Sequence, residues 1–194
     1  EDLLLAAERA KELVQQILTF SRRTSRERSL IALKPLVKET MKFLRSTLPA
    51  SIDIESSLEG RGCWVEASPT DVHQVVMNLC TNAAHAMKQD GGLLQIGIAK
   101  LDLDENQARH FVDLEAGEYV QLTVTDSGVG IPAEIRDRVL EPYFTTKKPG
   151  EGTGLGLAVV HGIVKSMGGG IFIYSEPGQG TTVKVLLPCQ APPG

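Results

Sequence analysis

The sequence of 194 residues is poor in cysteine and has no long apolar run. Its three cysteines, Cys63, Cys80 and Cys189, show no CxxC spacing. So odd and sparse a set fits a reducing compartment better than a disulfide framework. Cys80 falls inside an apolar helical pattern and is expected to be a buried thiol. No stretch approaches the roughly 20 apolar residues that a membrane span needs, and no signal-peptide pattern is present. A basic excess is missing too. Lys and Arg number 20 against 24 Asp and Glu, for a formal net charge of −4. Without a basic stripe, a nucleic-acid surface is disfavoured. There is no internal repeat.

What remains is an ordinary globular composition, 42% hydrophobic, with enough apolar residues for a sizeable core. The length suggests one main domain and a small appendage. The chain opens inside a helical pattern at Glu1-Asp2-Leu3. It is therefore expected to be a piece of a longer protein, with room for a membrane segment upstream.

Residues 2–23 are expected to form one helix. Leu3, Ala6, Ala10, Leu13, Ile17 and Phe20 alternate in steps of three and four, a coiled-coil seam, which Ala7, Val14 and Leu18 widen. A lone amphipathic helix folded back on the main domain fits this stripe, as does a bundle helix. The polar, basic stretch 21–29 resembles a linker and favours the bundle. The expected division is a helix at 1–23, a linker at 24–30, a main domain at 31–188 and a loose tail at 189–194.

Within the main domain, strands are expected near 29–32, 51–56, 63–67, 93–103 and 119–125, with a final hairpin of 170–175 and 181–187. Helices are expected over 35–48, from Ser68-Pro69 to Met87, briefly after Pro132, and over 155–167. Ser68 is the expected N-cap, and Pro69 suits the first helical position. Residues 104–117 look like a charged loop. The pattern is α+β: a two-layer sandwich, a mixed sheet covered by helices on one face and preceded by one long helix.

Three short motifs carry the chemistry. Asn78-Leu-Cys-Thr-Asn82 puts two amides at i and i+4 on one face of an apolar helix. An amide oxygen is a suitable hard ligand for magnesium already held by phosphates, since it adds no charge. Two structural hydrogen bonds or a cap are the competing use. Asp126-Ser-Gly-Val-Gly130 ends a strand. Its carboxylate can accept from an exocyclic amine, and its glycines allow close approach of a flat ring. A plain Asp-Ser-Gly turn is the alternative. Gly150-Glu-Gly152-Thr-Gly154-Leu-Gly156-Leu157 opens into a helix, whose N-terminal amides favour phosphate. It is neither the GxxxxGK[ST] phosphate loop nor a strand-led dinucleotide fingerprint. A flexible linker ending in a helix start remains the competing reading.

The order of these motifs, with Phe144-Thr-Thr-Lys147 between the last two, resembles the ATP-binding domain of bacterial sensor histidine kinases, within the wider GHKL ATPase group. The likeness covers about 30–188, and residues 6–23 resemble the second helix of that family's dimerisation hairpin. The resemblance implies a Bergerat-type ATP-binding fold, and ATP and Mg2+ as ligands. Asn82 would hold magnesium against the triphosphate, with Asn78 supporting it. Asp126 would read the adenine amino group, with Gly128 and Gly130 against the base and Thr181 behind it. Residues 140–154 would form a mobile lid, with Lys147 as a candidate for phosphate charge and Gly152, Gly154 and Gly156 as phosphate contacts. Ile131, Phe144, Thr146, Thr153, Leu155 and Leu157 complete the implied nucleotide site. His85 shares the face of Asn82 and is either a phosphate contact or a pocket-rim histidine. The implied partners are a second copy, through the helix hairpin, and a response-regulator receiver domain. The implied location is the cytoplasm, with any membrane contact made through upstream segments.

Two departures stand out. None of the four histidines sits in the family's His-Glu/Asp acceptor motif, so this chain is expected to bind ATP without phosphorylating itself. Ala86 stands where some members carry an aromatic residue. The competing class is a GHKL-fold ATPase or a serine kinase acting on a partner protein. ATPases of that fold carry a glutamate base where Asn78 stands, and an amide cannot take a proton from water at neutral pH. Asn78 thus favours phosphoryl transfer over hydrolysis.

Overall fold

The structure is a computed structural model and describes residues 28–59, 64–109, 111, 114–146 and 153–192. The expected helix at 1–23 and residues 24–27 of the expected linker lie outside the described residues, as do Cys63, Lys147, Gly150 and Gly152. In chain order the elements are β1 (Ser29–Ala32), α1 (Leu33–Thr47), β2 (Ile52–Leu58), β3 (Trp64–Ala67), α2 (Pro69–Ala86), β4 (Gly92–Leu103), α3 (Glu105–Ala108), β5 (Gly117–Asp126), α4 (Ala133–Arg136), α5 (Gly156–Ser166), β6 (Gly170–Glu176) and β7 (Gly180–Pro188).

Five strands form one mixed sheet in the order β2-β4-β5-β7-β6. The β2–β4 pair is parallel and the other pairs are antiparallel. Separately, β1 and β3 form an antiparallel ribbon. Alternation decides which face is buried. Leu94, Ile96 and Ile98 of β4, Val120, Leu122 and Val124 of β5, and Val183, Val185 and Leu187 of β7 all join one core cluster. The registers bring them side by side: Ile96 opposite Val124, and Val124 opposite Val183. Onto this face packs α2, through Val72, Val75, Val76, Leu79, Cys80 and Ala83. Helices α1 and α5 pack against α2 in turn. Burial pushes the Cys80 thiol pKa up to about 12, so it is an inert core group. The expected α+β sandwich of helices on a mixed sheet is the observed fold.

Four local expectations change. The stretch 104–117 is not simply a loop. Asp104 and Gln107 form a capping box around the single turn α3. Leu114, with Phe111 packed beside it, then covers part of the opposite sheet face, joining Leu103, Tyr119 and Leu186. One helical turn is too short to show a period in the sequence. Ser68 occupies the N-cap position of α2, but its side chain makes no capping hydrogen bond. The strand expected near 29–32 forms, so Ser29 and Leu30, which the domain division placed in the linker, pair with Ala67 and Glu66 in the β1–β3 ribbon. Cys189 and Gln190, expected in a loose tail, are tied down. The Cys189 N–H donates to Glu118 O at 2.8 Å and the Gln190 N–H donates to Trp64 O at 2.8 Å. Backbone pairing of this kind follows from where distant strands end, which local composition does not encode.

Leu94 is fully buried on the helix-covered face of β4. Leu94→Ala is expected to cost roughly 2–5 kcal/mol, read as a lowered urea midpoint. Phe43, 57% exposed on α1, serves as the control, since Phe43→Ala is expected to stay within about 0.5 kcal/mol.

Candidate functional site

The alternation that buries Val120, Leu122 and Val124 continues to Asp126, so this carboxyl remains on the helix-facing side of β5. Leu94 stands opposite it on β4, Thr181 on β7, and Ser175 faces Thr181 from β6. One row across the sheet thus turns from apolar to polar. Its three polar members, Asp126, Thr181 and Ser175, are all buried. The Gly128 N–H donates to Asp126 Oδ1 at 2.9 Å. Burial raises the Asp126 pKa above its ordinary value of 3.8, while the backbone N–H groups of Gly128 and then Thr181 oppose the rise. The carboxyl is held in place and shielded from bulk water.

Above this row runs α2. Asn78 and Asn82 line its cavity side together with His85 and Ala86. Gly156, the first residue of α5, comes close to both amides. A Cβ there would lie 3.4 Å from Asn82 Nδ2 and 3.7 Å from Asn78 Oδ1. No side chain caps α5. Its first N–H groups and the positive end of its dipole therefore favour an anion beside the two amides.

Between the two ends lies a cavity of about 800 Å3, a size typical of small-molecule sites. Of the residues singled out in the sequence, Asn78, Asn82, His85, Asp126, Gly130, Ile131, Phe144, Thr146, Thr153, Gly154, Leu155, Gly156, Leu157 and Thr181 line it. Lys147 and Gly152 lie outside the described residues. Gly128 does not line the cavity. It packs beneath α2, where a Cβ would come within 2.7 Å of the Ala86 backbone. Gly130 lines the wall with φ +72°, and a Cβ there would strike Glu176 O at 2.1 Å. Both glycines therefore let backbone meet backbone around Asp126, whatever they also do for a ligand.

Several further residues line the cavity. Val129, Ile135, Val139 and Tyr143 supply an apolar wall. Tyr143 has φ +67°, unusual for a bulky residue, and its N–H donates to Gly154 O at 3.0 Å. Arg138 sits 4.5 Å above the Phe144 ring. Ser175 does not line this cavity but meets it through Thr181. A short hairpin that pairs it with Thr181 was its available signal in the sequence.

An apolar slot, a buried acceptor at one end and an uncapped helix start beside two amides at the other suit a base joined to phosphates. The model of the family described as histidine kinase-, DNA gyrase B- and HSP90-like ATPases matches residues 67–191. The chain belongs to this family.

Within it, the similarity is to sensor kinases. Sensor kinase CckA of Brucella abortus (strain 2308) is 38% identical over 183 residues, 94% of this chain and 19% of the relative. Sensor histidine kinase ZraS of Escherichia coli (strain K12) is 32% identical, again over 94% of this chain and 36% of the relative. The chain thus spans between 19% and 36% of the length of these two relatives. The nucleotide-free catalytic domain of histidine kinase ThkA aligns at a TM-score of 0.65 and 27% identity, covering 84% of this chain and 95% of that domain. ThkA in complex with the response regulator protein TrrA aligns at 0.69 and 24% identity, covering 95% of this chain and 48% of that one. The described domain is the ATP-binding catalytic domain of the sensor histidine kinase type.

For this ATPase domain the donor set bears on magnesium. Among the described residues no group of three His, Cys, Asp or Glu side chains could hold a metal. The polar groups facing the α5 start are instead the neutral amides of Asn78 and Asn82. Such a set fits an ion that arrives with phosphate oxygens as its main ligands, rather than a resident metal.

The raised Asp126 pKa makes a stability prediction. Between 3.8 and the raised value, the folded chain holds more protons than the unfolded one. Asp126 therefore contributes stability that is fully present below 3.8 and is lost as pH rises through the raised pKa. Asp126→Asn cannot ionise. Urea unfolding from below pH 3.8 up to neutrality should show wild-type stability falling relative to the variant as pH rises. A flat or rising difference would contradict the burial of this carboxyl.

Proposed function

We propose that this chain is the ATP-handling part of a sensor histidine kinase, and that it presents the γ-phosphoryl group to a histidine on an upstream helix outside this chain. In this reading the adenine lies over the row of Asp126 and Thr181, with its amino group donating to the Asp126 carboxylate. The triphosphate runs toward Asn78, Asn82 and the start of α5. Asn82, supported by Asn78, holds magnesium against the phosphates, and Thr153, Gly154 and Gly156 supply backbone contacts. Lys147 and Gly152 join them from the expected lid. When bound, magnesium neutralises phosphate charge. The chain's own residues hold the nucleotide in place and leave no water-activating base at position 78. The observation that carries the reading is the pairing of two amides and an uncapped helix start at one end of a cavity with a buried carboxylate at the other.

The phosphoryl group then passes to an aspartate of a response-regulator receiver domain. Support for that partner comes from the likeness to ThkA, solved with such a regulator. Dimerisation through the hairpin that residues 1–23 resemble, and a place in the cytoplasm, belong to the same proposal. No described helix is long and apolar enough to cross a membrane.

Calorimetric titration of the chain with Mg–ATP tests the site. The wild type is expected to bind. Asp126→Asn removes the charged acceptor, and Asn82→Asp sets a negative charge against phosphate. Each is expected to weaken binding by at least about tenfold. Wild-type affinity in both variants would overturn the proposal. Incubation with Mg–ATP followed by mass spectrometry is expected to find no phosphohistidine in this chain.

A further inference from the structure

We infer that Ser175 determines which base the pocket accepts, by fixing the Thr181 hydroxyl as an acceptor toward the cavity. The inference rests on the nucleotide reading above and deepens it. Ser175 is 9% exposed and lies at the end of β6, opposite Thr181. Its Oγ has three polar neighbours. The Ile131 N–H donates to it at 2.8 Å. Gly180 O lies at 2.9 Å. Thr181 Oγ1 lies at 2.8 Å, with either hydroxyl able to donate.

A serine hydroxyl has one proton and two lone pairs. The Gly180 carbonyl can only accept, so the Ser175 proton goes there. One Ser175 lone pair takes the Ile131 N–H. The other is left for the Thr181 hydroxyl, which must therefore donate. With its proton directed at Ser175, Thr181 has only lone pairs for the cavity that it lines. Its neighbour in the row, Asp126, is an acceptor as well. This corner thus offers acceptors alone. A purine with an amino group at that edge can donate to them. A purine with a carbonyl there finds no donor and faces oxygen lone pairs, which is how a hydrogen-bonding site rejects a near-isostere. Ser175 does not line the main cavity. It is a positioning residue acting through Thr181, and the selected class is the 6-aminopurine nucleotides over the 6-oxopurine ones.

The test is calorimetric titration of the chain with Mg–ATP and with Mg–ITP, whose base carries the carbonyl. Wild type is expected to prefer ATP. Ser175→Ala releases the Thr181 proton, which can turn to the 6-oxo group, so the ATP:ITP affinity ratio is expected to fall by about tenfold, the size of one hydrogen bond. Ser175→Thr keeps a hydroxyl and is expected to keep the ratio. Thr181→Val gives an independent reading if Ser175→Ala does not fold. As Thr181 is an acceptor, its loss should weaken ATP and spare ITP. A merely structural Ser175 would weaken both nucleotides alike, and an unchanged ratio in Ser175→Ala would overturn the inference. So would a Thr181→Val variant that loses ITP more than ATP. A wild type that binds both nucleotides equally would refute this inference alone. One that binds neither would refute the nucleotide reading with it.

Discussion

A carboxylate buried at the end of an apolar row constrains everything around it. Asp126 continues the inward alternation of β5, so it cannot turn to solvent without breaking the register that buries Val120, Leu122 and Val124. Desolvating it is costly. Two backbone N–H groups, from Gly128 and Thr181, offset part of that cost. Each comes from a segment that must pass very close. Gly128 lies against α2 and Gly130 against the β6–β7 turn, both at distances that exclude a side chain. Helix, strand ends and turn are thus drawn together around one oxygen pair.

Helix α2 then joins the two chemistries. Its C-terminal residue Ala86 rests on Gly128 near the carboxylate, and Asn78, midway along the helix, faces the start of α5. Eight residues of helix span about 12 Å at the ordinary rise per residue. A rigid rod buried along one side sets that distance, so amides and carboxylate cannot drift apart independently. The inner face of the rod includes Val72, Val75, Val76 and Leu79, and the packing that stabilises the fold also spaces the site.

The chemistry that this arrangement supports is positional. An amide stands at position 78, and acceptors and a helix start lie at different parts of one cavity. In the proposed reading, such a site would act by holding a phosphoryl donor in line with a partner's nucleophile.

Much of this was legible in the linear order of residues. Period-two runs marked the strands, the i and i+4 amides marked a helix face, and glycines marked a strand end and a helix start beside the cavity. These features are local, and local steric and hydrogen-bonding rules suffice to read them. The capped turn after Asp104, the anchoring of Gln190 on Trp64 and the apolar wall with Tyr143 were not legible, since each depends on which distant segments meet. Gly128 shows the same division: its lack of a side chain was plain, yet that α2 fills the space was not. The sequence by itself determined the residue types and their spacing within each element. Only the tertiary structure decided that Ser175, a serine six residues before Thr181, completes the row with Asp126, because cross-strand register depends on turns and side-chain packing over the whole sheet.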